Sequence, residues 1–496
     1  MVVKDLGRPL FPPVTKNKPK GHPVADQKTV YSLEFSCLLI ALCVLYLLFV
    51  GNKLVVFGSV KGGWVYPYLD RLYVDYVRTW TPSIKAILIL VPINLFAVYL
   101  AQRFLEAHEY RVVIAFLVVG TLSQFYIRSL YPVSMGDIIA SDTANSYYSP
   151  TLKYGLHEFL SNFTTIRKTL GLHAVGNMPG KTVFFYFLSA LTSSPRTMGY
   201  LVIAFSNLGA LFMYWIVKDL FADKMTGLYS LALFLYLPAK VYFFPLMNTM
   251  APVFILAAFF LLVHYTERRQ LFLLPILGFS IYLMFFFDPL PLSTGLIFLA
   301  LLIGHYGRKG GTLINPFVLV ALVAGGFLLA HLVLLIVFSY NAFDSFGCIL
   351  NEALSFNVDA KRPYDVWAVQ DLRSFSLGLG IGPFVLYFLC LFHLGSVLLR
   401  RLPGGASRSV SQIAQVLIMP EHLIAVSSFL TLLVLDLAGI NRGEVIRLWI
   451  FLAVFLLIPA AHFMKQKLNV LAFHVVVAAT IMQTVVTVCS VAFIVP

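Results

Sequence analysis

The sequence predicts an all-α polytopic membrane protein, and three observations predict it. Hydrophobic residues make up 59% of the chain and charged residues only 12%, about half the charge of an ordinary soluble chain. Mean hydropathy is +0.86. Apolar windows of roughly 18–22 residues recur along the whole length, each long enough to cross hydrocarbon of about 30 Å as a helix.

The first element is a basic, Pro-rich tail, 1–30. It lacks the compact layout and the small-residue cleavage site of a signal peptide, so it is read as retained and cytoplasmic. Spans are expected near 31–50, 84–102 and 112–130, within an N-terminal region 31–130. A long polar segment, 131–197, then interrupts the pattern. Core spans follow near 198–217, 225–243, 251–266, 271–287, 289–305 and 315–339, in region 198–339. A second polar loop covers 340–375. The C-terminal region, 376–496, holds spans near 376–399, 420–439, 444–463 and 469–494, making about thirteen in all.

Charge separates the connections into two sets. Basic ones are the tail, Gln102–Arg111, Lys218–Lys224, Thr266–Gln270, Gly304–Gly311, Arg400–Arg408 and Lys465–Lys467. Base-poor or mixed ones are 131–197, 244–251, Asp288–Pro289, 340–375 and 440–444. With the first set cytoplasmic and the second outward, the spans alternate throughout. One condition applies: the apolar run 182–193, about a dozen residues, must not cross. It is read as an interfacial helix, which suits Phe184, Phe185, Tyr186 and Phe187. The expected location is therefore an inner, plasma or endoplasmic-reticulum membrane, with the long segment on the external, periplasmic or lumenal side.

The net charge of +14 is carried by these connections and is no nucleic-acid signal. Cys37, Cys43, Cys390 and Cys489 fall in apolar spans and Cys348 in a polar loop, so neither a disulfide framework nor a CxxC metal site is present. The sequon Asn162-Phe163-Thr164 lies in the long outward segment and has meaning only in a host that glycosylates there.

The segment 131–197 opens with Asp137 and continues through an aromatic-rich stretch carrying Tyr147, Tyr148 and Tyr154. A turn, Asn177-Met178-Pro179-Gly180-Lys181, begins the interfacial helix. A small-residue span with a basic exit, 198–221, follows. This arrangement resembles the GT-C superfamily of glycosyltransferases that use polyprenyl-phosphate sugars, nearest to its protein O-mannosyltransferase and aminoarabinose transferase branch. The likeness covers roughly residues 112–300. It implies a multispan fold with an active site at the outer face, inversion at the sugar carbon, and a polyprenyl- or dolichyl-phosphate sugar as co-substrate rather than cofactor. It also implies an acidic residue in the first outward loop that acts as catalytic base or orients the acceptor, which by position is Asp137. The family's turn commonly reads His-Pro-Pro before the lysine. Here the His and one Pro are missing, while Pro179 and Lys181 match.

That chemistry needs a carboxylate to take the acceptor hydroxyl's proton, positive charge for the departing phosphate, and an apolar groove for the isoprenoid. Asp137 and then Asp142 are the candidate carboxylates; each also suits a helix N-terminus. They are five apart and form no DxD pair, so no metal is indicated. Lys181, Arg167 and Lys168 are candidate phosphate ligands, as are Arg442 and Arg447 of the cluster Asn441-Arg442-Gly443-Glu444. Glu444 and Arg447 share a helix face and suit a structural pair equally well. Tyr147, Tyr148, His173, Asn177, Glu444, Tyr364 and Trp367 are candidates to contact the sugar. The expected partners are the lipid-linked donor, a glycan, lipid or protein acceptor, and membrane lipids. Two other classes share this composition: a transporter or flippase for a lipid-linked sugar, and a GT-C-like assembly protein without activity. The chain shows no inverted repeat, which argues against transport.

Overall fold

The computed structural model describes residues 24–51, 80–309, 314–359, 362–401, 413–491 and 493–494. The expected tail up to residue 23, and the basic connections at 310–311 and 402–408, lie outside the described residues. Among the described residues every regular element is helical, and 11 helices are long and apolar enough to cross a membrane. These include Lys28–Tyr46, Pro82–Phe104, Glu109–Ser129, Pro195–Phe221, Met247–Arg268, Ile450–Lys467 and Val470–Ser490.

Two expected spans depart from this. Leu273–Phe287 is apolar but has only 15 residues. The run 225–243 is broken. A helix, Lys224–Leu235, ends before Pro238, and a five-residue helix, Pro238–Tyr242, restarts it. Pro238 has no N–H to continue the ladder and disfavours helical backbone at Leu237. Residues 226–250 are buried throughout, so this irregular backbone lies inside protein, the place where it is tolerated. Helix Glu109–Ser129 supplies its missing hydrogen bonds. Gln124 Nε2 donates to the Leu235 carbonyl at 2.6 Å, and Arg128 Nε donates to the Phe244 carbonyl at 2.9 Å. Asn207 donates to Gln124 at 2.6 Å and accepts from the fully buried Lys240. Arg128 and Lys240 are therefore polar struts in what reads from composition as an apolar bundle.

The second polar loop is also more ordered than expected. It forms two helices, Ala342–Asp359 and Tyr364–Leu379. Phe343, Phe346 and Ile349 recur at three-residue spacing, a helical stripe. Phe346 packs on Phe285 at 5.3 Å between ring centroids, and Ile349 is buried. The segment 131–197 is a chain of short helices ending in Gly180–Leu191, close to the run read as a non-crossing helix.

The two sets of connections are brought together separately. At one end, Lys218 pairs with Glu109 and Lys224 pairs with Glu106 and Glu109. At the other, Lys181 pairs with Asp288, Arg167 approaches Glu352, and Arg362 pairs with Glu444.

Candidate functional site

The base-poor end carries a cavity of about 160 Å³. Four stretches that are far apart in sequence line it. Tyr147, His173 and Asn177 come from the long segment, and Asn248 comes from the turn Met247–Met250. Glu352 comes from helix Ala342–Asp359, and Asn441, Glu444 and Arg447 come from the turn before Ile450–Lys467.

The wall formed by the long segment is set by short-range capping. Ser134 caps Met135–Ala140 by accepting from the Asp137 N–H at 3.1 Å. Ser141 accepts from Thr143 and Ala144, closing the next turn. Ser146 accepts from the Ala174 N–H at 2.8 Å, which ties the two ends of the wall together. Asn177 donates to the His173 carbonyl at 2.7 Å. The His173 ring contacts the Thr143 backbone; burial, with Arg447 adding to it, pushes the imidazole pKa down to about 4. It is therefore neutral at pH 7 and a weak base.

Lys181 sits behind this wall, 1% exposed. Its ammonium donates to Asp288 Oδ2 at 2.8 Å and Asn177 Oδ1 at 2.7 Å, and lies 5.7 Å from the centre of the Tyr147 ring. Burial disfavours the charge, but the Asp288 carboxylate holds the pKa above the ordinary lysine value. This geometry depends on Gly180. A Cβ there would lie 2.4 Å from the Phe286 carbonyl oxygen, so helix Gly180–Leu191 abuts the end of Leu273–Phe287 directly. Gly180→Ala is expected to lower stability by about 1–3 kcal/mol, read as a lower unfolding temperature in detergent.

The opposite wall is a guanidinium cluster. Glu444 accepts from Arg362 at 3.2 Å and from Arg447. Burial would raise its pKa, but Arg447 and Arg362 outweigh that and hold it at about 2. Arg362 donates to the Arg442 carbonyl, and Arg442 donates back to the Arg362 carbonyl at 3.0 Å. The turn needs left-handed backbone at Gly439, Asn441 and Gly443. Gly443 lies with its Cβ position 3.0 Å from the Trp367 ring, and its N–H donates to Asp371 Oδ1 at 2.9 Å. The Asn441 Oδ1 is buried without a hydrogen-bond partner and belongs to a cavity-lining residue.

Asp371 is 2% exposed, and burial pushes its pKa up to about 7. A carboxyl that keeps its proton longer when folded stabilises most below its unfolded pKa and loses that contribution as pH rises through the folded value. Wild-type stability is therefore expected to fall relative to Asp371→Asn between about pH 4 and pH 7. Thermal unfolding of both proteins across that range reads the difference directly.

Five of the residues expected at the site line the cavity: Tyr147, His173, Asn177, Glu444 and Arg447. Lys181 stands behind them in its ion pair. The others have different places. Asp137 is exposed, on the short helix that packs on Pro195–Ser206. Asp142 is also exposed and accepts from Ser149. Its backbone carbonyl lies 3.0 Å from the Cβ position of Gly171, two residues before His173. Neither aspartate lines the cavity. Arg167 is buried and donates to the Val175 carbonyl at 2.6 Å, so it braces the wall. Lys168 is exposed. Tyr148 packs on Phe185 in an apolar cluster. Trp367 is 3% exposed beneath Gly443 and Arg362. Tyr364 lies against the Arg442 guanidinium, 5.0 Å from ring centre to carbon. Both rings are occupied by arginines of the protein and are absent from the cavity lining.

Sequence reasoning missed Asn248 and Glu352 as lining residues and Asp288 as the partner of Lys181. For Asp288 a signal existed: a carboxylate at the end of an apolar helix needs a cation nearby. Asn248 and Glu352 carry no local signal. Comparison with protein-family models, with curated proteins and with solved structures finds no match for this chain.

Proposed function

We propose that this chain is a membrane glycosyltransferase of GT-C type, moving a sugar from a polyprenyl-phosphate donor to an acceptor with inversion. The observation that carries the reading is the charge around Glu444. Two guanidinium groups, Arg362 and Arg447, pair with one carboxylate that stays ionised, and a third, Arg442, is tied to the Arg362 backbone. Only Arg447 of the three lines the cavity. Arg447 offers a leaving phosphate the fork that its oxygens accept, and it shares the lining with the carboxylates Glu444 and Glu352. Tyr147, Asn177, Asn248 and Asn441 line the same cavity and supply the hydroxyl and amides that hold sugar hydroxyls. In this reading the cavity faces the outer side, as the base distribution of the connections requires.

The proton of the acceptor hydroxyl goes to a carboxylate of the long segment. Asp137 and Asp142 both lie outside the cavity lining, and the backbone carbonyl of Asp142 abuts Gly171 behind the wall. Purified protein is incubated with a panel of radiolabelled polyprenyl-phosphate sugars and crude acceptor, and sugar release is measured for wild type, Asp142→Asn and Asp137→Asn. Loss of turnover in one aspartate variant, with donor still bound, supports the reading and assigns the base. No turnover by wild type with any donor overturns it and favours a lipid-linked-sugar transporter or an inactive assembly protein.

A further inference from the structure

At the end opposite the candidate site, helices Trp80–Phe104 and Glu109–Ser129 leave a second cavity of about 330 Å³ between them. Its walls are almost wholly apolar. Ala97, Ala101 and Ala115 are small enough to open it, while Phe104 and Phe116 close its sides. One end is different: His108 and Arg111 line it, and both are exposed. The acids of the same turn point elsewhere, since Glu109 pairs with Lys218 and Lys224, and Glu106 with Lys224. The groove therefore joins an apolar channel on two membrane-length helices to a cationic end at the helix termini.

We infer that this groove is a binding site for an anionic glycerophospholipid, with one acyl chain between the two helices and the phosphate on Arg111 and His108. Charge complementarity selects the headgroup. A neutral apolar occupant would leave the two bases unused, and a free phosphate would leave the channel empty. The depth matches too, because the bases lie where the helices end and a headgroup sits at that level. A second copy of the chain is a poor occupant, since its own exposed Arg111 would meet a like charge.

The test is native mass spectrometry of the full-length protein reconstituted in nanodiscs of mixed phosphatidylglycerol and phosphatidylcholine, then released with its retained lipid. Wild type is expected to keep one phosphatidylglycerol in preference to phosphatidylcholine. Arg111→Gln is expected to lower that retention about fivefold, the effect of one cation near an anionic headgroup. Ala115→Trp fills the groove from its exposed side and is expected to abolish retention of both lipids. Unchanged unfolding temperatures show that the variants are folded; if Ala115→Trp fails this control, Arg111→Gln decides alone. Equal retention of the two lipids, retention unaffected by Arg111→Gln, or a dimer that forms in place of the lipid adduct would each overturn the inference.

Discussion

Arg447→Gln is expected to reduce sugar transfer by about 10²–10³-fold, the usual cost of removing one donor aimed at developing charge. Arg447 is the guanidinium of its cluster that lines the cavity, so no neighbour takes its place at the phosphate. Folding should be little affected. Glu444 keeps its bond from Arg362, and the turn keeps its Gly443–Asp371 hydrogen bond. Arg447→Lys should recover part of the rate, because it restores the charge without the planar fork. Transfer rates with unfolding temperatures for the three proteins check this. Unchanged transfer in Arg447→Gln would remove Arg447 from the chemistry and with it the main support for a phosphate-leaving reaction.

Lys181→Met is expected to act on stability first, by about 3–5 kcal/mol. The change leaves the Asp288 carboxylate, 8% exposed, with the Leu290 N–H and without its cation. A second change separates this from a direct role in binding. Lys181→Met with Asp288→Asn removes both charges and should regain most of the lost stability. If Lys181 instead meets the donor phosphate, the double variant stays inactive however well it folds. Thermal unfolding and transfer measured on wild type, single and double variants resolve the two, with recovery of both stability and turnover marking the lysine as a strut.

The contrast between these two residues shows what could be read from the chain. Both were candidate phosphate ligands on the same grounds, a base beside a membrane-level turn. The tertiary structure separates them through a partner in each case. Lys181 meets Asp288, 107 positions away, whereas Arg447 shares its carboxylate with Arg362 and still lines the cavity. Asp137 and Trp367 differ from expectation for related reasons. Asp137 follows its cap, Ser134, on a surface helix, and the Trp367 face is covered by Gly443 and Arg362. Sequence position gives the residue and its local conformation but not which groups compete for its side chain.

The sequence alone determined the class, the positions of most of the long apolar helices, a short apolar helix near 182–193 and the division of connections into two sets. Those follow from composition, run length and base distribution, all of which are local or additive along the chain. Tertiary structure decided the break at Pro238 and the struts Arg128 and Lys240. It also decided the helices within 340–375 and the meeting of residues 147–177, 248, 352 and 441–447 around one cavity. Those depend on which surfaces pack together, and inside a bundle every polar group must find a partner that the intervening chain length does not specify.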